Sequence, residues 1–157
     1  MGNTLFNPQD APSAKNATLF VTIGNRRYSM LNAKNFEATA TISTDDVPSL
    51  GSIITGKKVT GLQVKLTMTI YKCTDMFDSL IETYKNTGAL PTFDVQETED
   101  DQATSCGRST KIYNNCVIDG DVLLGMFDAE GGFIEQEIEC YAMDYSSPEK
   151  RTEPTYM

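Results

Sequence analysis

Few residues in this 157-residue chain could do covalent chemistry, and their spacing argues against it. There is no histidine, so the commonest general base, the commonest metal ligand and every Ser–His or Cys–His pair are missing. The four cysteines are Cys73, Cys106, Cys116 and Cys140, with no Cys-x-x-Cys pair among them. A structural zinc site is therefore not expected, and free, buried or half-buried thiols are. Gly56-Lys57 is followed by Lys58 and not by Ser or Thr, so the phosphate-loop pattern is incomplete. The acidic run at residues 97–101 lacks the alternating ligands and central glycine of a calcium loop and reads as a solvated charge run. Carboxylates are plentiful, but nothing marks two of them as an acid–base pair. The residues imply no enzyme, no cofactor and no metal.

The unusual chemistry is instead a row of like charges. Glu135, Glu137 and Glu139 stand at spacing two near the end of the chain. On a strand they would lie ~7 Å apart on one face, an arrangement that requires water or cations to screen it. The net charge of −9 points the same way. Tight docking on phosphate backbones draws its affinity from Lys and Arg, and an acidic surface opposes it. A solvent face is one reading of the row. The other is an aqueous surface shared by many copies, from which a polyanion is repelled.

The elements that would position such a face are mostly strands. Residues 17–23 are β-branched and aromatic, and after a Gly24-Asn25 turn residues 27–31 return as a hairpin partner. Residues 36–43 alternate apolar and polar, and residues 62–71 do so more strongly, with Gln63, Lys65, Thr67 and Thr69 on one side. Between them residues 44–58 read as a long loop carrying Val47, Leu50, Ile53 and Ile54, apolar side chains that need either the core or another molecule. Residues 74–84 switch to helical spacing, with Thr74 as a candidate cap and Gly88 as the stop. Residues 90–96 form a further strand. Residues 110–118 and 121–127 read as one long or bent strand, and residues 133–143 as the last. This pattern implies a mainly β domain: an antiparallel β-sandwich or barrel of six or seven strands with one α-helix. The domain spans residues 17–146, between an extended N-terminal arm at 1–16 and an extended tail at 147–157. The N-terminus matches no secretory signal, and no apolar run suits a membrane anchor.

The order of these elements resembles a known family. A polar arm leads to a hairpin and a Phe36-Glu37-Ala38 strand. Gly56-Lys57-Lys58-Val59-Thr60-Gly61 closes the long loop, and the next strand ends at Thr69-Ile70-Tyr71-Lys72 before the single helix. Asn86-Thr87-Gly88, a Pro-aromatic strand, an Arg108-containing loop and the acidic final strand follow. The chain resembles the tail tube proteins of contractile-tailed phages, PBSX-like prophage elements and R-type bacteriocins. The resemblance implies a virion or tail-like particle assembled in the bacterial cytoplasm. Hexameric rings of the protein would stack into a tube, partnered by a sheath, by baseplate or tail-tip proteins and by a tape-measure protein. DNA would pass without specific binding, unless the particle is an empty bacteriocin. In that setting Glu37, Thr39, Thr41, Gln63, Lys65, Thr67, Glu135, Glu137 and Glu139 would line the lumen. Val47, Leu50, Ile53, Ile54, Lys57 and Lys58 would lock ring on ring. A tube protein of a non-contractile tail or a secretion-system needle shares these expectations. A soluble β-barrel that binds a small apolar ligand, with the long loop as lid, is the rival of another class.

Overall fold

The computed structural model describes residues 5–156. Eight strands and one helix follow one another: β1 (Ala17–Ile23), β2 (Arg26–Ser29), β3 (Ala33–Val47), β4 (Gly56–Tyr71), α1 (Met76–Thr87), β5 (Phe93–Glu99), β6 (Ser109–Ile118), β7 (Glu135–Ala142) and β8 (Asp144–Glu149). All pairings are antiparallel, in the order β2-β1-β5-β6-β7-β4-β3, with β8 added beside β6.

The alternation of each strand decides what it buries. Leu19 and Val21 of β1, Phe93 and Val95 of β5, and Tyr113 and Cys116 of β6 face inward from one sheet. Leu66, Met68 and Ile70 of β4 with Ile138 and Cys140 of β7 face them from the other. Removing these side chains from water is the main term holding the two layers together, at about 1.5–3 kcal/mol for each large one.

The corner between the layers lies on β6. Its lower part pairs with β5 and β8, whereas Val117 and Ile118 pair with β7. Phe93 opposes Cys116 and Val95 opposes Tyr113, so Asn114 and Asn115 together face Asp94 in a bulge. Asn115 takes a left-handed φ of 53°, which Asn tolerates better than most residues, and donates its N–H to the Asp94 carboxylate at 3.0 Å. β7 and β8 bend in parallel with this corner, where the Met143 N–H donates to the Asn114 carbonyl at 3.1 Å.

The helix packs Met76, Phe77 and Leu80 onto the core, with Phe77 meeting Phe93 edge to face at 5.8 Å between centroids. Gly88 ends it in the left-handed conformation at φ 80°, as its position suggests. Thr74 is not the cap; the N-cap is Asp75, whose side chain makes no capping bond. Lys72 instead reaches the first turn through a 2.8 Å ion pair with Asp78.

Several expectations need correction. The sheet does not close into a barrel: β2, β3 and β8 each have one neighbour and remain as edges. The expected strand at residues 121–127 is coil: the contact with β7 ends where the Asp119 N–H donates to the Glu139 carbonyl at 3.0 Å, and Gly120 follows at φ 119°, a conformation that does not continue a strand. The tail does not begin at residue 147. Asp144–Glu149 is a strand on β6, and Pro148 is tolerated there because β8 has only one neighbour. Glu97 and Glu99 belong to β5, so the acidic loop shrinks to its far end.

The arm is not free either. Among residues 5–16 lies a 3-10 turn, Pro8–Asp10, and residues 1–4 fall outside the described part. Buried Asp10 accepts hydrogen bonds from the Ser105 N–H and hydroxyl, both at 2.8 Å, and from the Tyr156 hydroxyl at 2.5 Å. The arm, the 100–107 loop and the C-terminus are thus clasped at one carboxylate. These bonds, the Tyr156 hydroxyl first, hold its pKa below the usual Asp value of 3.8.

Candidate functional site

Two surfaces stand out. The first is the outer face of β3, β4 and β7. Registration puts Glu37, Thr67 and Glu139 in one row across the strands, and Thr39, Lys65 and Tyr141 in the next. Thr41 lies opposite Gln63, and Thr69 opposite Glu137. Tyr71 lies opposite Glu135. All nine polar residues singled out in the sequence therefore share one face, and each is exposed or half-exposed. The reverse face of β4 and β7 is the core. One sheet is thus dry on one side and wet on the other, as antiparallel sheets permit.

The glutamate row is less bare than its spacing implies. Lys65 reaches Glu139 at 3.8 Å from the neighbouring strand. Lys34 reaches Glu135 at 3.2 Å. The sequence reading missed Lys34 because a register shift between Ala33 and Asn35 takes it out of the alternation of β3. Among the described residues Glu37 and Glu137 make no ion pair. Four carboxylates thus share the face with two ammonium groups, which leaves it acidic.

The second surface is the far end of β3 and β4. Residues 44–58 are not a loop. The ladder shifts register between Ser43 and Thr44 and then continues through Asp45 opposite Lys58, Asp46 opposite Lys57 and Val47 opposite Gly56. Lys57 and Asp46 form a 2.8 Å ion pair across it. Only residues 48–55 turn, with Gly51 at φ 77° and the Ser52 hydroxyl donating to the Ile54 carbonyl at 2.9 Å. Apolar alternation fades here because an arm that leaves the core has no buried side. At its tip Leu50 and Ile53 are fully exposed, Ile54 is 82% exposed and Val47 is 49% exposed. The apolar residues of the expected loop are therefore together and outward, and Lys57 and Lys58 stand on the strand below them. A further exposed apolar segment holds Leu124, Met126, Phe127 and Phe133. Its residues are visible in the sequence, but reading residues 121–127 as a strand hid their exposure.

A model of the family described as "Phage tail tube protein" matches residues 4–149 of this chain. The chain belongs to the phage tail tube protein family. It is 31% identical over 143 residues to the "Phage-like element PBSX protein XkdM" of Bacillus subtilis (strain 168), covering 90% of this chain and 93% of that protein. In fold it is similar to a chain of the sheath/tube terminator of an extracellular contractile injection system (PVC), at a TM-score of 0.61 and 14% identity. That match covers 83% of this chain and 93% of the other. A chain of the anti-feeding prophage baseplate gives a TM-score of 0.59 at 9% identity, covering 91% of this chain and 97% of the other.

Proposed function

We propose that this tail tube protein is a non-catalytic building block of a contractile particle, forming hexameric rings that stack into a hollow tube. The wet face of β3, β4 and β7 lines the lumen. There an acidic, hydrated surface lets DNA pass without adhering, since it offers a phosphate backbone repulsion and no excess of cations. The β3–β4 arm carries Val47, Leu50, Ile53 and Ile54 from one ring to the next. The unpaired edges β2 and β3 are the margins through which neighbours in a ring approach, which would remove the aggregation hazard of open edges. A sheath packs outside this tube, and baseplate or tip and tape-measure proteins meet its end, as expected of a particle assembled in the bacterial cytoplasm. The contractile systems named for its fold neighbours support the choice of a contractile over a non-contractile tail.

The observation that carries this reading is the single strand face on which all nine polar residues meet, backed on β4 and β7 by a buried face that is apolar except for Gln136. It is tested by placing a thiol on that face, as Thr39→Cys, in a protein whose Cys73 and Cys106 are replaced by serine. After tube assembly a small biotin–maleimide should react, and streptavidin, too bulky to enter, should bind only once the tubes are dissociated. Streptavidin decorating intact tubes along their length would refute the assignment of this face to the lumen.

A further inference from the structure

The β3–β4 arm ends in an apolar knob, and the same chain holds a partly apolar cleft at the opposite end of the same strand. A cleft of about 700 Å³ opens where the start of β3 faces the β1–β2 edge. Apolar Leu19, Met30, Leu31 and Phe36 line it, together with charged residues of both signs, Glu97 and Glu99 as well as Lys15, Lys34 and Arg151. Met30 and Leu19 are buried, whereas Leu31 is 87% exposed at a cleft that none of the described residues fills.

Knob and cleft cannot meet within one molecule. They are separated by the fifteen residues of β3, or ~50 Å of strand at ~3.3 Å per residue, and that strand is laddered to β4 along its length. We propose that the cleft receives the arm tip of a second copy of this chain, so that Leu50, Ile53 and Ile54 of one copy pack against Met30, Leu31 and Phe36 of the next. This inference rests on the ring-stacking role of the arm and adds its receptor.

A contact between different patches is heterologous, and with the two patches at opposite ends of one strand it propagates along that axis rather than closing as a dimer. Repeated, it yields an open stack. The area fits that outcome. Burying each Leu, Ile or Val removes roughly 60–120 Å² of apolar surface from water. Val47, Leu50, Ile53 and Ile54 would thus bury about 250–500 Å² on the knob and about as much on the cleft. The total falls short of the ~1,200–2,000 Å² of a stable pair, so one knob in one cleft is weak. Several engaged at once, as between two rings, hold firmly through their effective concentration. Growth ring by ring, without premature pairing of single chains, follows from that arithmetic.

Two variants test the pairing. Leu50→Asp/Ile53→Asp destroys the knob and keeps the cleft; Leu31→Asp charges the cleft and keeps the knob. All three side chains are exposed, so each variant should melt at the wild-type temperature. Each alone should raise the critical concentration for tube growth at least tenfold. Rings of the two variants, mixed in equal amounts, meet through one working interface with several junctions engaged at once and should give a particle of twice the mass of one ring, and no longer stack, by sedimentation velocity. If Leu31→Asp grows tubes at the wild-type threshold while the knob variant does not, the cleft is not the receptor and the arm keeps its role. If both grow tubes, the arm's own role in stacking is refuted. If both fail and the mixture does not double in mass, knob and cleft are not partners.

Discussion

Replacing Val47, Leu50, Ile53 and Ile54 together by serine separates folding from assembly. In the isolated chain three of the four side chains are exposed over most of their surface and Val47 over half of it. They therefore contribute almost nothing to the monomer's own core. Each exposed substitution should change folding stability by no more than ~0.5 kcal/mol. The arm keeps its ladder and its Asp46–Lys57 pair, so its shape should persist. In the tube the balance is different. Complete burial of one such side chain is worth about 1.5–3 kcal/mol, so even half-burial of all four gives about 3–6 kcal/mol per junction. At 1.4 kcal/mol per tenfold, the critical concentration for tube growth should rise by roughly two to four orders of magnitude. Pelleting assays and negative-stain microscopy over a concentration series measure that threshold, and thermal melting of the unassembled protein measures the fold. Tubes forming at the wild-type threshold would sink the argument that the arm tip is buried between rings. A melting temperature reduced by more than a few degrees would sink the claim that the arm is independent of the core.

Three other perturbations probe different parts of the molecule. Phe77→Ala removes the ring that packs on Phe93, which should cost about 3–5 kcal/mol. The melting temperature should then fall by roughly 6–20 °C in calorimetry, because 1 kcal/mol is worth ~2–4 °C at this size. Lys65→Glu breaks the exposed pair with Glu139, worth under ~1 kcal/mol to the fold. It leaves five carboxylates facing one ammonium group, so tube growth should come to depend more steeply on salt, which turbidity across a sodium chloride series would show. Asp10 binds its proton less readily in the folded chain than its ordinary value of 3.8 implies, so its contribution is present above that value and is lost as pH falls below it. Amide exchange of residues 5–16 and of the C-terminal tail should therefore accelerate on acidification below about pH 3.8. Asp10→Asn should show the same fast exchange already at neutral pH.

Local chemistry in the sequence determined a good deal of this protein. Period-two alternation at residues 62–71 and around Glu135–Glu139 placed β4 and β7 and their wet faces, because a strand's side chains reverse at every residue whatever surrounds it. Helical spacing with Gly88 located α1 for a similarly local reason. The absence of histidine removes the commonest general base and metal ligand whatever the fold. Tertiary structure alone decided which of these segments became neighbours. It set Glu37, Thr67 and Glu139 in one row, and it brought Lys34 to Glu135 across 101 residues of chain. It also tied Asp10 to Tyr156 across 146 residues. It made an arm of the supposed loop and gave β8 a place on β6, since a strand needs a partner edge and the sequence of one segment does not say which edges are free. Strand pairing and cleft formation depend on the far side of the contact, and for an assembling protein that far side includes other copies of the same chain.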